Sequence, residues 1–113
     1  NVYFRKCYLE LVNLIKKARE YGILFSLGGD IHHGDLTGNV RVLLDSGISP
    51  VEAIPILTRD SSKICRLESI KGTIEVGKIA DIVAFEGNPN HVEDFRKVRG
   101  EMKTGMIRWG KEY

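Results

Sequence analysis

The tract that most constrains the fold of this chain runs from Gly72 to Pro89 and reads GTIEVGKIADIVAFEGNP. A Gly-Lys turn precedes a compact apolar run that carries a single acid, Asp81, and a Gly-Asn-Pro turn closes the tract. Short β-branched and apolar runs bounded by Gly, Asn and Pro are typical of strands and their connections. The tract therefore predicts two short strands, at 73–76 and 82–85.

The residues before this tract have mostly helical patterns. Apolar side chains recur at three- and four-residue steps from Val2 to Tyr21, and Gly22 is a suitable left-handed cap. A short helix is predicted from Thr37 or Asn39 to Asp45. A further helix should start at Ser49-Pro50-Val51-Glu52, which combines a capping Ser, an early Pro and a Glu three residues after the Ser. This helix should kink at Pro55 and resume through Leu67. After the tract we expect one or two helical turns at 91–98, a hairpin or bend at 102–107 and Trp109 in the last strand.

Composition limits the possible partners. A chain of 113 residues suits one small domain, and 42% hydrophobic with 28% charged residues is ordinary for a soluble globular protein. The net charge is only +2 and the basic residues are scattered, so we expect no nucleic-acid partner. No apolar run approaches the ~20 residues of a membrane span, so we expect no membrane partner either.

The two cysteines, Cys7 and Cys65, lie far apart and form no C-x-x-C motif. This spacing predicts buried or free thiols in a reducing compartment rather than a disulfide. With no signal-peptide pattern, a cytoplasmic location is expected. The chain opens with Asn1 rather than Met, which is typical of a trimmed or internal piece of a longer protein and also of a chain whose initiator Met has been removed.

Asp30 is the best candidate for chemistry. The run Ile23–Leu27 is short and almost continuously apolar, which predicts a strand buried on both faces, as in a parallel sheet. Asp30 lies just past the carboxyl end of that strand, where α/β sheets and barrels place their functional groups. An Asp at such a position also commonly caps the following turn, and the spacing leaves both interpretations open.

Two histidines and one lysine offer further candidates. His32 and His33 follow Asp30 closely, but adjacent side chains on an extended backbone cannot both face one ion, and no H-x-H motif is present. They are predicted to contact substrate from the loop, or else to be solvent-exposed. Lys78 follows glycines at the spacing of a phosphate-binding loop, but Ile79 replaces the required Ser or Thr, so phosphate binding is not predicted.

Several motifs resemble those of the metal-dependent amidohydrolases, especially the imidazolonepropionase and prolidase-like branches. The tract from Gly72 to Pro89 is similar to their G-x-I-x-x-G-K-x-A-D, apolar run and G-N-P. Ile48–Ile54 resembles the helix start (L/M)-(S/T)-P-x-E-A-(L/I) of that family. Leu27–Asp30 resembles the G-(T/S)-D that ends its eighth barrel strand, with Gly29 in place of Thr or Ser.

The resemblance implies an α/β fold, namely a C-terminal fragment of a (β/α)8 amidohydrolase barrel plus part of its small β-sandwich. Residues 1–69 would be the last barrel strand with its flanking helices, and residues 70–113 the C-terminal part of the sandwich. It also implies that Asp30 binds a divalent metal, expected to be zinc, in the full-length parent and acts as general base. A metal lowers the pKa of bound water toward ~7, and a nearby carboxylate can accept the proton. The implied reaction is hydrolysis of a C–N bond in a small cyclic amide or dipeptide-like substrate.

Two hypotheses follow for the isolated chain. The family's remaining ligands, an H-x-H pair, a bridging Lys or Glu and two further His, are missing from a chain that has three His in total. The chain is then part of a hydrolase, inactive and without metal by itself. The alternative is a stand-alone structural or oligomerisation domain derived from the same fold, without catalysis. In either case a lone barrel strand leaves unpaired edges, which predicts self-association or binding to the remainder of the parent chain.

Overall fold

A computed structural model describes residues 2–28 and 37–110, and they form a mixture of helices and strands as expected. The helical part contains α1 (Val2–Glu20), α2 (Thr37–Asp45), α3 (Pro50–Pro55), a π-helical turn (Ile56–Asp60) and α4 (Ser61–Ile64). The tail contains β1 (Ile82–Phe85), a 3-10 helix (Val92–Arg96), β2 (Val98–Lys103) and β3 (Met106–Gly110).

Two predicted helix caps are confirmed, at Gly22 and at Ser49. Gly22 has φ +64°, and the Ile23 N–H donates to the Ala18 carbonyl at 2.8 Å, which closes α1 with a left-handed cap. At the start of α3 the Ser49 hydroxyl accepts from the Glu52 N–H at 3.3 Å, and the Glu52 carboxylate accepts from the Ser49 N–H at 2.8 Å. This reciprocal pair satisfies two backbone donors that a helix start would leave unpaired.

The predicted kink at Pro55 takes the form of a wider turn. Regular α3 ends at Pro55, which has no N–H to donate, and the next five residues form the π-helical turn. The helix resumes only as α4, which ends at Ile64, so the prediction that it continues through Leu67 is wrong. Arg66 has φ +57° in the turn that follows, a conformation that a helix cannot contain.

The core lies among the helices and includes one residue of the tail. Val40 and Leu43 of α2 are fully buried, and they pack with the buried side chains of Ile15, Ile48, Ala53 and Val92. Val92 comes from the 3-10 helix, so the tail is attached to the helical part through the same apolar cluster.

The tail forms a three-stranded antiparallel meander in the order β1-β2-β3. Ile82 pairs with Met102 and Lys103 with Met106, so β1, the hairpin and the position of Trp109 in the last strand are confirmed. The predicted strand at 73–76 is wrong. No described strand lies beside it to supply hydrogen bonds, and Ile74 is 86% exposed.

The predicted strand Ile23–Leu27 is also absent as such. Among the described residues, the backbone groups of 24–28 form no backbone hydrogen bonds, and Ile23 is 58% exposed. Phe25 and Leu27 do pack against the core. A parallel strand needs neighbouring strands, and the described part of this chain provides none, so burial on both faces is wrong for this chain.

The solvent-accessible surface of the molecule is larger than that of a typical compact protein of the same mass. Its accessible surface is 8558 Å², against about 6,200 Å² for a compact monomer of the same mass. The apolar positions of α1 contribute, since Phe4 is 71% and Leu14 is 63% exposed. Both cysteines are free thiols at the surface. Across the described ranges, the helices are too short or too polar to cross a membrane.

Candidate functional site

The predicted site residues lie between the two described ranges. Asp30, His32 and His33 belong to residues 29–36, outside the residues that the structure describes. Their roles therefore stay predictions. The structure describes both flanks of this segment, Ile23–Gly28 before it and α2 after it, and each flank is held by a side-chain hydrogen bond.

On the first flank, Ser26 is fastened to the π-helical turn. Its hydroxyl donates to the Ile56 carbonyl at 2.9 Å, and the Ser61 hydroxyl lies 2.5 Å from the Ser26 oxygen. The Ser61 hydroxyl also lies 3.3 Å from the same Ile56 carbonyl, so either serine can be the donor in the bond between the two hydroxyls. These contacts cross 30 and 35 residues, and no local pattern in the sequence indicates them.

On the second flank, Thr37 begins α2 and is 6% exposed. Its hydroxyl oxygen accepts from Nη2 of Arg96 at 2.8 Å. Arg96 also pairs with Glu93 at 3.0 Å, and Glu93 pairs with Arg41 of α2 at 3.1 Å. In the sequence, Arg96 is one of several scattered charges, and no signal there distinguishes it as the partner of Thr37.

A cavity of about 360 Å³ opens beside the first residues of the segment Ile23–Gly28. There Arg19 binds the Glu52 carboxylate at 2.8 Å and the Gly47 carbonyl at 3.0 Å. Functional groups of α/β folds gather at the carboxyl ends of strands. This cavity lies at the amino end of the segment Ile23–Gly28, and we assign it a structural role.

Asp81, the acid of the tract, is structural. Its carboxylate accepts from Lys71 at 2.7 Å and from the Thr104 N–H at 2.9 Å, which fixes the β2–β3 turn beside the start of β1. The ammonium of Lys71, followed by the Thr104 N–H, holds the pKa of Asp81 below its ordinary value. Asp81 therefore holds this turn through one backbone amide and one ion pair.

Asp94 holds the Gly-Asn-Pro turn in a similar way. One carboxylate oxygen accepts from the Asn88 N–H at 2.9 Å, and the other contacts the Lys97 ammonium at 2.7 Å. The Asp94 side chain is only 13% exposed. The Lys97 ammonium, and after it the Asn88 N–H, lowers the pKa of Asp94. This carboxylate therefore favours the folded state when it is charged.

We expect Asp94→Asn to change how stability depends on pH. Because the pKa of Asp94 is lower in the folded state, its contribution is present above the unfolded value of about 3.9 and is lost as pH falls below it. Urea midpoints of the parent protein and of Asp94→Asn should differ at pH 7, and the difference should shrink progressively as the pH falls below about 4. A difference that stays constant across this pH range would contradict the assignment.

The described residues do not form a metal site. Within 2–28 and 37–110, no three His, Cys, Asp or Glu side chains lie close enough together to hold an ion. Asp30, His32 and His33 stand outside these ranges, so a metal of the kind that the family implies does not fit the described residues alone.

The amino-acid sequence of this chain also matches a known protein family. The model of the amidohydrolase family matches residues 11–110. The chain belongs to the amidohydrolase family. The resemblance that the sequence motifs indicated is therefore confirmed.

An adenine deaminase of Ligilactobacillus salivarius is 31% identical to this amidohydrolase chain over 83 residues, which are 74% of the chain and 14% of the deaminase. The crystal structure of a Xaa-Pro dipeptidase with methionine bound in its active site superposes with a TM-score of 0.79 at 29% identity, over 88% of this chain and 25% of the dipeptidase. An amidohydrolase from Thermotoga maritima superposes with a TM-score of 0.72 at 28% identity, over 88% of this chain and 26% of that protein. The chain thus spans a quarter or less of the first two proteins and 26% of the third.

Proposed function

We propose that this chain is the C-terminal part of a metal-dependent hydrolase that cleaves C–N bonds in small molecules. The family match over residues 11–110 carries the proposal. Two similar proteins are named as an adenine deaminase and a Xaa-Pro dipeptidase, and both names denote breakage of a C–N bond. The shared chemistry, rather than either substrate, is what we extend to this chain.

In this proposal residues 1–69 supply the last strand and flanking helices of a (β/α)8 barrel, and residues 70–113 supply the C-terminal part of a β-sandwich. Within the described ranges the backbone of 24–28 is unpaired, which supports the first assignment, because such groups need hydrogen-bond partners once they are covered. The exposed apolar side chains Phe4 and Leu14 of α1 support it as well, since exposed apolar surface commonly marks an interaction site. We infer that other parts of the parent protein cover these surfaces.

Asp30 is the proposed general base, placed at the carboxyl end of the last strand. In the reaction, the oxygen of water bonds to the substrate carbon and Asp30 accepts the proton that this water loses. The C–N bond then breaks, and the departing nitrogen takes up that proton. His32 and His33, in the same segment, are proposed to contact the substrate.

The proposed metal, with zinc the expected ion, has Asp30 as the one ligand that this chain supplies. Within the described residues, no cluster of three His, Cys, Asp or Glu side chains offers a site of its own. The 113-residue chain alone should therefore bind less than one zinc per molecule in equilibrium dialysis and show no turnover. Tight, stoichiometric zinc together with turnover by the isolated chain would contradict the assignment.

Substrate assays of the complete protein test the reaction class. Adenine should release ammonia or Xaa-Pro dipeptides should release free proline, and a chelator should abolish the reaction until zinc is restored. If the metal-loaded complete protein turns over neither substrate, nor a broader panel of cyclic amides and dipeptides, the hydrolase proposal fails. In that case, an isolated chain that folds and self-associates would favour the stand-alone structural domain.

A further inference from the structure

A turn in the first half of the glycine-bounded tract presents two aliphatic side chains to solvent. Ile74 is 86% exposed and Val76 is fully exposed. The Glu75 carbonyl accepts from the Lys78 N–H at 3.2 Å, and Gly77 has φ +89°. Val76 therefore stands at the first corner of a turn whose second corner requires glycine. Turn corners commonly carry Gly, Pro, Asn, Asp or Ser, so two aliphatic side chains at this turn need a physical reason.

Three polar side chains hold this turn, which comprises residues 73–78 and which we call the clamped turn. Nζ of Lys78 donates to the Thr73 hydroxyl oxygen at 2.5 Å and to a Glu75 carboxylate oxygen at 3.2 Å. The Thr73 hydroxyl donates to the same Glu75 oxygen at 2.6 Å. The Lys78 side chain is only 15% exposed. The polar side chains thus bind one another, and the aliphatic ones are left at the outer surface.

The base of the clamped turn is also fixed to its surroundings. The Ile79 N–H donates to the Ile70 carbonyl at 2.8 Å, which joins the two ends of the loop. Beside this bond, Lys71 pairs with Asp81 at 2.7 Å. A surface that is held in place before binding loses little conformational freedom on binding. The two aliphatic side chains are therefore suited to enter a preformed pocket.

The small area of this surface determines what kind of partner it fits. Full burial of the Ile74 and Val76 side chains removes about 250 Å² of apolar surface from water. A stable complex of separate molecules buries about 800 Å² on each partner. A separate molecule therefore gains too little free energy at this surface. Another part of the same protein loses no translational freedom when it docks, so the smaller area is sufficient for it.

We propose that the clamped turn inserts Ile74 and Val76 into an apolar pocket on the part of the complete protein that lies outside this chain. This inference rests on the proposed function, in which the chain is the C-terminal part of a larger hydrolase. The chain spans 25% of the similar Xaa-Pro dipeptidase. The pocket is lined by aliphatic or aromatic side chains, since polar groups facing the two aliphatic ones would be buried without partners. The clamped turn is then an attachment point between the tail and the rest of the protein.

Thiol labelling of Val76→Cys in the complete protein tests this contact. Cysteine behaves as a small hydrophobe, so it is able to occupy the space that Val76 fills. The new thiol should react with a maleimide at least about 10²-fold more slowly in the native protein than in urea, because burial keeps the opened state rare. Peptide mass spectrometry measures this thiol separately from the exposed thiols of Cys7 and Cys65.

Two further substitutions in the Val76→Cys protein show which surface is covered. Ile74→Asp brings a charge against the apolar pocket and should speed native labelling at least about tenfold, because a buried unpaired charge is unfavourable. Asn90→Asp adds the same charge at an exposed position elsewhere on the tail. This control should leave the labelling rate within about twofold, since salt screens charges at the surface.

A new thiol that reacts as fast in the native complete protein as in urea would overturn the inference. Protection that is lost on dilution to nanomolar concentration would also overturn it, because the pocket would then belong to a second copy of the protein. Equal acceleration by Ile74→Asp and Asn90→Asp would show that the protection does not come from this contact. Labelling does not depend on turnover, so an inactive complete protein with a protected thiol would contradict the hydrolase proposal and support this contact.

Discussion

Replacing Asp30 by Asn in the complete enzyme should reduce kcat by roughly 10² to 10⁴-fold, the range typical for loss of a positioned general base. An amide has nearly the same shape as a carboxylate but does not accept a proton near neutral pH. In the proposed reaction the proton lost by water then has no acceptor, and the expected metal loses an anionic ligand. Steady-state kinetics on adenine or a Xaa-Pro dipeptide measures the effect, and zinc analysis reports the loss of the ligand.

The matched control is Asp45→Asn at the far end of α2. Asp45 is an exposed carboxylate that accepts a hydrogen bond from Tyr8 at 2.6 Å, and it has no proposed part in the reaction. Asp45→Asn should keep nearly the full kcat, and both variants should show the circular dichroism of the parent. An Asp30→Asn enzyme with an unchanged rate would contradict the role given to Asp30, and with it the site that we propose.

Gly72→Ala should lower the free energy of unfolding by about 2 to 5 kcal/mol, through backbone strain and steric overlap together. Gly72 has φ +99°, a conformation that L-residues rarely adopt. A methyl group at this position would overlap the Oγ and Cβ atoms of Ser62. Ser62 cannot move aside easily, because it is 7% exposed and its hydroxyl donates to the Arg59 carbonyl at 2.7 Å.

Gly77→Ala separates the two causes of this loss. Gly77 has φ +89°, but among the described residues no atom beyond its chain neighbours lies within 4 Å of the position that a Cβ would take. Alanine at this position therefore suffers the backbone strain without the overlap. Urea denaturation of the complete protein should rank the midpoints as parent, then Gly77→Ala, then Gly72→Ala. Equal midpoints for the two variants would mean that Ser62 yields to the methyl group, contrary to its buried hydrogen bond.

The parts of the fold that the sequence predicted are those set by neighbouring residues. The Ser49–Glu52 capping box, the left-handed cap at Gly22 and the β2–β3 hairpin each depend on contacts within a few positions. The same holds for β1, which the apolar run and its flanking turns predicted at the correct residues. These features can be predicted from a single sequence because the interacting groups are close together along the chain.

The predictions that failed needed partners from elsewhere. The runs 23–27 and 73–76 have strand-like composition, but strand hydrogen bonds come from neighbouring chain, and the described residues supply no neighbour. The apolar face of α1 shows the same dependence, since its period predicted the helix correctly, yet Phe4 and Leu14 are exposed. Composition states what a segment is able to bury, whereas burial itself depends on what lies against it.

The candidate site divides in the same way. Family-like motifs in the sequence singled out Asp30 and indicated the amidohydrolase family, because such motifs are runs of neighbouring residues. Only the tertiary structure brought Arg96 to Thr37 and Ser26 to the Ile56 carbonyl, across 59 and 30 residues. The sequence by itself determined the helix caps, the hairpin and the family. The fold decided which distant side chains hold the flanks of the proposed catalytic segment, since such contacts depend on how helices and tail pack and leave no periodic trace in the chain.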